Sequence, residues 1–276
     1  MVRWGRLPGS PLRLPAGPDK LGAMPSRPSR ALLGLLPPAV VLALITWQVA
    51  ADGPLLRTDE RLSHALVRPD RFSELLSDLG EVQIAVPALV LVVGYAAWRG
   101  RAAGAARWWA PSLAALALMA LVPLIVVPLK EWTDRPGTPA VPPATGYYPS
   151  GHTATAGVAY GSAVLVLLPW LRTPAARRLA VATGALLVAA VSFGLVRRGY
   201  HWPLDVVASW CLCAVLLGAL RLRLAADALR VGRRPACAPA RPRQSGAPRP
   251  PTRTTRTSEP SASRTYGGAR KPQDTP

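Results

Sequence analysis

Cysteine and histidine are both scarce in this chain, three of each among 276 residues, and bases outnumber acids 33 to 14. Scarce cysteine excludes a disulfide framework. Cys211 and Cys213 lie inside one apolar run, where a Cys-x-Cys pair on a helix points its thiols to different faces, and Cys237 lies in a basic tail. Read plainly, the pair is two small residues of the core or the lipid face. The apolar region also lacks the further His or Cys ligands that zinc needs, so neither a metal nor another cofactor is expected. Aromatic residues are not interleaved with the bases, which excludes a nucleic-acid grip in spite of a formal charge of +19. No cleavable signal peptide is evident. The first apolar run follows about thirty basic, Pro-rich residues and is itself long enough to span a bilayer. No internal repeat is present.

What the chain does have is long apolar runs with the charges between them. Six spans are read: Ala31 to Ala51, Val82 to Trp98, Trp109 to Leu129, Thr153 to Leu171, Leu179 to Val196, and Val206 to Leu224. Each approaches the roughly 20 residues that a helix needs to cross the hydrocarbon. The expected fold is all-α: an integral membrane bundle of six transmembrane helices over residues 31–224. A basic N-terminal tail occupies 1–30, and a Pro- and Arg-rich tail over 225–276 is too polar to fold. Prolines at 37, 38, 87, 123 and 128 start or kink helices, which a bundle tolerates.

Basic residues orient the bundle. The first tail, the connection with Arg99, Arg101 and Arg107, the connection with Arg172, Arg177 and Arg178, and the last tail fall on one side of a six-span protein. That side is expected to be the cytoplasm, with both termini in it. The other three connections then face outward together. The first of these, Asp52 to Glu81, carries Leu62, Leu66, Phe72, Leu75, Leu76 and Leu79 at spacings that suggest short amphipathic helices on the membrane surface.

Those outward connections hold three polar islands. Lys130-Glu131-Trp132-Thr133-Asp134-Arg135-Pro136 opens on the only lysine of the apolar region. Pro149-Ser150-Gly151-His152 directly precedes a span, so its first backbone N–H groups can meet an anion. His201-Trp202-Pro203-Leu204-Asp205 sets a carboxylate four residues after an imidazole, where it can hold the ring and leave the other nitrogen free to attack. Lys130, Arg135, Arg197 and Arg198 would supply the charge of a phosphate cradle without a metal. Each island also has a plain structural reading: a helix start, an interfacial His and Asp beside a belt tryptophan, or cations snorkelling at helix ends.

Taken together, the islands resemble the tripartite signature of the type 2 phosphatidic acid phosphatase (PAP2) family, membrane lipid phosphatases that share a six-helix core with vanadium haloperoxidases. The resemblance covers roughly Leu55 to Arg221 and includes Ser77-Asp78-Leu79-Gly80. It implies that His201 attacks phosphorus to give a phosphohistidine, that Asp205 orients it, and that His152 protonates the leaving group. It further implies phosphate contacts from Lys130, Ser150 and the Gly151 amide, and catalysis without metal. Two positions depart from the family pattern. Seven and eight residues after Lys130 stand Gly137 and Thr138, with Arg135-Pro136 two residues early, and Leu195 stands where an arginine precedes the third motif's histidine. Arg135 is expected still to contact phosphate, with Arg197 or Arg198 substituting at Leu195.

The expected activity is hydrolysis of a lipid phosphate or diphosphate at the extracytoplasmic face of the cell membrane. Phosphatidic acid, phosphatidylglycerol phosphate and polyprenyl diphosphate are equally open as substrates. The alternative is a protein of the same fold that binds lipid phosphate without turnover because two arginines are missing. Retention of both histidines and the aspartate weighs against it, and six spans weigh against a vanadate-dependent peroxidase.

Overall fold

Proline marks the starts of helices throughout this chain, because a first-turn N–H has no helical partner to lose. In the computed structural model, which describes residues 32–232, Pro37 lies in the first turn of α1 (Leu36–Ala50), Pro111 in that of α5 (Ala110–Thr133), and Pro174 opens α7 (Pro174–Arg198). Pro203 opens α8 (Pro203–Gly232). Between them come α2 (Leu55–Leu66), α3 (Arg71–Asp78), α4 (Val82–Ala102) and α6 (Gly151–Leu167), the last continued by a 3₁₀ turn at Leu168–Trp170. The described residues contain no strand. The expected tail over 1–30 and the stretch beyond Gly232, with Cys237, lie outside the described residues.

Five helical segments are long and apolar enough to cross a membrane: Val82–Ala102, Ala110–Thr133, Gly151–Trp170, Pro174–Arg198 and Pro203–Arg230. The first expected span differs. Its helix has 15 residues, about 22 Å at about 1.5 Å per residue, against a hydrocarbon core of about 30 Å. The chain then bends by 92° into α2, so a sixth span exists only if the bent pair is counted as one. At the other end α8 runs on to Gly232, eight residues beyond the expected boundary at Leu224, so 225–232 are helical rather than unfolded.

Helices α2 and α3 are amphipathic in the reverse of the soluble sense. Asp59 and Ser63 of α2, and Ser73 and Ser77 of α3, are buried against the protein, while Leu62, Leu66, Phe72 and Leu75 are exposed. An apolar face turned outward is what a helix lying in the membrane interface requires. Asp70 caps α3, accepting the Ser73 N–H at 2.7 Å, and the Ser73 hydroxyl accepts the Asp70 N–H in return. This N–H, and after it the Arg197 guanidinium, hold the Asp70 carboxyl below its usual range.

At the centre stands α6, packed against α4, α5, α7 and α8. Its run of small residues from Ala154 to Ala159 is buried, letting its neighbours approach closely. Two core clusters flank it. One gathers Leu89, Val93, Val191 and Leu195 around Ala156 and Ala159, and the other gathers Val122, Val126, Leu212 and Leu216 around Ala154 and Val158.

Candidate active site

All three polar islands lie at one end of the bundle, where α5 and α7 finish and α4, α6 and α8 begin. The α7 end is closed by Gly199 at φ 81°, a left-handed conformation that glycine adopts without strain. A Cβ there would also lie 2.7 Å from that of Ala140. This turn delivers Tyr200 and His201 to the mouth of the bundle.

The second and third islands are stitched together through their backbones. Ser150 N–H donates to the Asp205 carbonyl at 3.2 Å, and the Ser209 hydroxyl oxygen lies 2.9 Å from the carbonyl oxygens of both Ser150 and Asp205. Ser150 caps α6, its Oγ accepting the Thr153 N–H at 3.3 Å and lying 3.0 Å from Thr153 Oγ1. The Ser150 side chain is fully buried, so the hydroxyl expected to bind phosphate serves the helix instead. What remains for an anion is the first turn of α6, with the N–H groups of Gly151 and His152, which no helical carbonyl can pair. His152 itself is exposed in the cleft.

His201 is buried and its Nδ1 lies 3.2 Å from Asp205 Oδ2. This contact commits Nδ1 and leaves Nε2 clear of the carboxylate. The Trp202 N–H also donates to Oδ2, at 3.2 Å, while Oδ1 takes the Arg135 guanidinium at 2.5 Å. The second arm of Arg135 reaches Asp59 Oδ2 at 2.6 Å. Arg135 is only 4% exposed and its charge lies 5.4 Å over the Trp202 ring. It therefore does not present itself to a phosphate, contrary to expectation: two buried carboxylates hold both of its arms.

Arg197 and Arg198 also face carboxylates. Arg197 pairs with Asp70 at 2.9 Å and Arg198 with Glu74 at 3.4 Å, tying the end of α7 to α3. Neither lines the cavities that contain the histidines. Leu195, at the position where an arginine was missing, is fully buried in the core. Lys130 is placed differently. It extends from the end of α5, donates from Nζ to the Gly146 carbonyl at 2.7 Å, and passes about 4.0 Å from the place a Gly151 Cβ would occupy.

Two cavities meet at the histidines. The larger, about 980 Å³, runs from His152, His201, Gly151 and Lys130 down between α4 and α5 along Val86, Leu116, Met119, Val122 and Val126. Among the described residues Lys130 is the one cation lining it. The smaller, about 330 Å³, is lined by Asp78 and Tyr200 beside the same histidines, and Glu81 and Tyr147 line both. Among the described residues, no group of three or more His, Cys, Asp or Glu side chains is placed to hold a metal ion.

Sequence reasoning missed several of these neighbours. Asp59, Glu81 and Tyr147 belong to no motif, and the Tyr147 and His201 rings meet at a steep angle, 65°, with centroids 5.8 Å apart. Tyr148 anchors the loop from behind. Its hydroxyl lies 2.7 Å from Thr46 Oγ1, and because that oxygen already donates to the Leu42 carbonyl, the tyrosine is the donor. Burial pushes the Tyr148 phenol up to about 12, so it stays neutral.

Comparison with known proteins agrees with this architecture. Residues 111–226, a stretch that includes all three islands, match the model of the PAP2 superfamily. In three dimensions the chain is similar to the crystal structure of the first transmembrane PAP2-type phosphatidylglycerolphosphate phosphatase from Bacillus subtilis. The TM-score is 0.55 at 24% identity, over 68% of this chain and 96% of that one. Among curated proteins, none matches the chain in sequence.

Proposed function

We propose that this chain is a membrane phosphatase of the PAP2 type, hydrolysing a lipid phosphate or diphosphate through a phosphohistidine. The observation that carries the reading is the single cavity that gathers His152, His201, Lys130 and the α6 N-terminus at the head of an apolar cleft. A lipid fits that shape: chain along Val86, Leu116 and Val126, phosphate between the lysine and the helix start. Nε2 of His201 attacks phosphorus as the bond to the leaving oxygen breaks, and His152 donates its proton to that oxygen. Asp205 stabilises the positive charge that develops on the attacking ring. In the second half His152 takes a proton from water, whose oxygen attacks phosphorus and releases His201 and inorganic phosphate. Lys130 and the N–H groups of Gly151 and His152 oppose the charge on the equatorial oxygens throughout.

The reaction is assigned to the extracytoplasmic face. Supporting this, the arginine-bearing connections 103–109 and 171–173 with their flanking helix ends lie at the end of the bundle away from the histidines. Phosphatidic acid, phosphatidylglycerol phosphate and polyprenyl diphosphate all suit the site. One observation favours the second reading, a lipid-phosphate binder without turnover: Arg135, Arg197 and Arg198 are all engaged by carboxylates, leaving Lys130 as the cradle's side-chain cation. Phosphate release by the purified chain in detergent with EDTA, across the three lipids, decides between them. Turnover that survives the chelator and vanishes in His201→Ala is expected. No release with lipid binding intact replaces the enzyme with the binder.

A further inference from the structure

We propose that Arg135 is a positioning residue for the nucleophile and that Asp59, delivered by α2, holds it in place. The proposal rests on the reading of His201 as nucleophile. Its physical basis is the soft torsion of a carboxylate. A histidine bonded to one oxygen of Asp205 does not fix the plane of that group, because rotation about the bond to the carboxyl is broad and weakly resisted. The guanidinium on Oδ1, at 2.5 Å, supplies the second point, and the Trp202 N–H on Oδ2 a third. Arg135 is in turn fixed by Asp59 at 2.6 Å and by the Trp202 ring beneath it.

Asp59 closes the frame from the other side. Its Oδ1 accepts the Leu204 N–H at 2.9 Å, and Trp202 Nε1 donates to the Pro136 carbonyl at 3.0 Å. Residues 202, 204 and 205, all within four positions of His201, are thus gripped by α2 and by the segment that follows α5. A lysine at 135 donates from one nitrogen on a flexible stem, so it does not hold the two carboxylates in the fixed, planar arrangement of the guanidinium fork. A merely stabilising ion network would leave turnover alone once the protein is folded. A positioning network controls the attack.

The test uses the full chain in detergent with EDTA, phosphatidic acid as substrate and inorganic phosphate as competitive inhibitor. Asp59→Asn keeps the size and the acceptor for Leu204 but releases one arm of Arg135. It is expected to lower kcat about 10- to 100-fold with KM and the phosphate inhibition constant nearly unchanged. Arg135→Lys should lose less than Arg135→Gln, which leaves two buried carboxylates uncompensated and is expected to fold poorly. Wild-type kcat in folded Asp59→Asn overturns the proposal. So does an Arg135→Lys that keeps kcat and weakens phosphate inhibition about tenfold, because it means direct phosphate contact. A second readout does not need turnover. In protein labelled with nitrogen-15 histidine, with His201 identified by its loss in His201→Gln, the His201 signals should shift in Asp59→Asn. Should wild type release no phosphate, the functional reading fails and this spectrum decides the network: unmoved His201 signals overturn it.

Discussion

Adding one methyl group at Gly80 should impair the reaction by moving His152. A Cβ there would lie 2.6 Å from Val191 Cγ1, 3.1 Å from the His152 carbonyl oxygen and 3.3 Å from the His152 Cβ. Carbon atoms in contact prefer about 3.5–4.0 Å, so the valine contact is short by about 1 Å. Val191 is fully buried and β-branched, hence stiff, and part of the displacement must pass to the turn at Gly80 and to the first turn of α6. Overpacking of this kind costs about 1–3 kcal/mol of stability. A misplacement near 1 Å at a reacting group costs about 100-fold in rate. Gly80→Ala is therefore expected to fold with a lower melting temperature and to lose about 10- to 100-fold in kcat. Adding Val191→Ala removes the worst clash while leaving the contacts to His152, so activity should return only in part. The assay is phosphate release at saturating lipid beside a thermal melt. A folded Gly80→Ala enzyme with wild-type kcat would refute the placement of His152 in the reaction.

Other outcomes follow from the same geometry. Lys130→Ala should raise the phosphate inhibition constant about 10-fold or more, whereas Arg197→Ala, facing α3 outside the cleft, should leave it unchanged. Thr46→Val strands the buried Tyr148 hydroxyl and should cost about 1–3 kcal/mol, against about 1 kcal/mol for Tyr148→Phe, which leaves Thr46 bonded to Leu42; thermal melts rank the two. Asp70 is more acidic in the folded protein than the usual carboxylate, so its stabilising effect is complete above about pH 4 and is lost as pH falls through its lowered value. Melting temperature against pH should therefore fall less steeply at the acid end in Asp70→Asn than in wild type.

How far the sequence could be read depended on the range of each interaction. Helix α4 begins at Val82, where the apolar run begins, and α6 begins at Gly151, within two residues of the expected Thr153, because caps act over three or four residues. The roles of the arginines were not legible. Arg135, Arg197 and Arg198 look like free cations beside a histidine, yet their partners Asp59, Asp70 and Glu74 stand far upstream in sequence. Nothing local distinguishes a cation facing a ligand from one facing a distant carboxylate. The leucine spacing of α2 and α3 announced amphipathic helices, but not that Asp59 on the polar face would reach the nucleophile's segment. The short α1 was hidden as well, since its apolar run reads straight through the place where the helix is broken before Leu36.

Helix α6 has the lowest mean hydropathy of the candidate spans and the largest buried share, 61%. Surrounded by four partners, it has little face for lipid to select, and its composition answers to shape alone. Sequence drift should therefore be partitioned by geometry rather than by depth. On α4, exposed Val90, Leu91 and Trp98 can exchange freely among apolar residues, while Ala154, Ala156, Gly157 and Ala159 admit almost no increase in volume. A saturation library would find the least greasy span to be the least forgiving one.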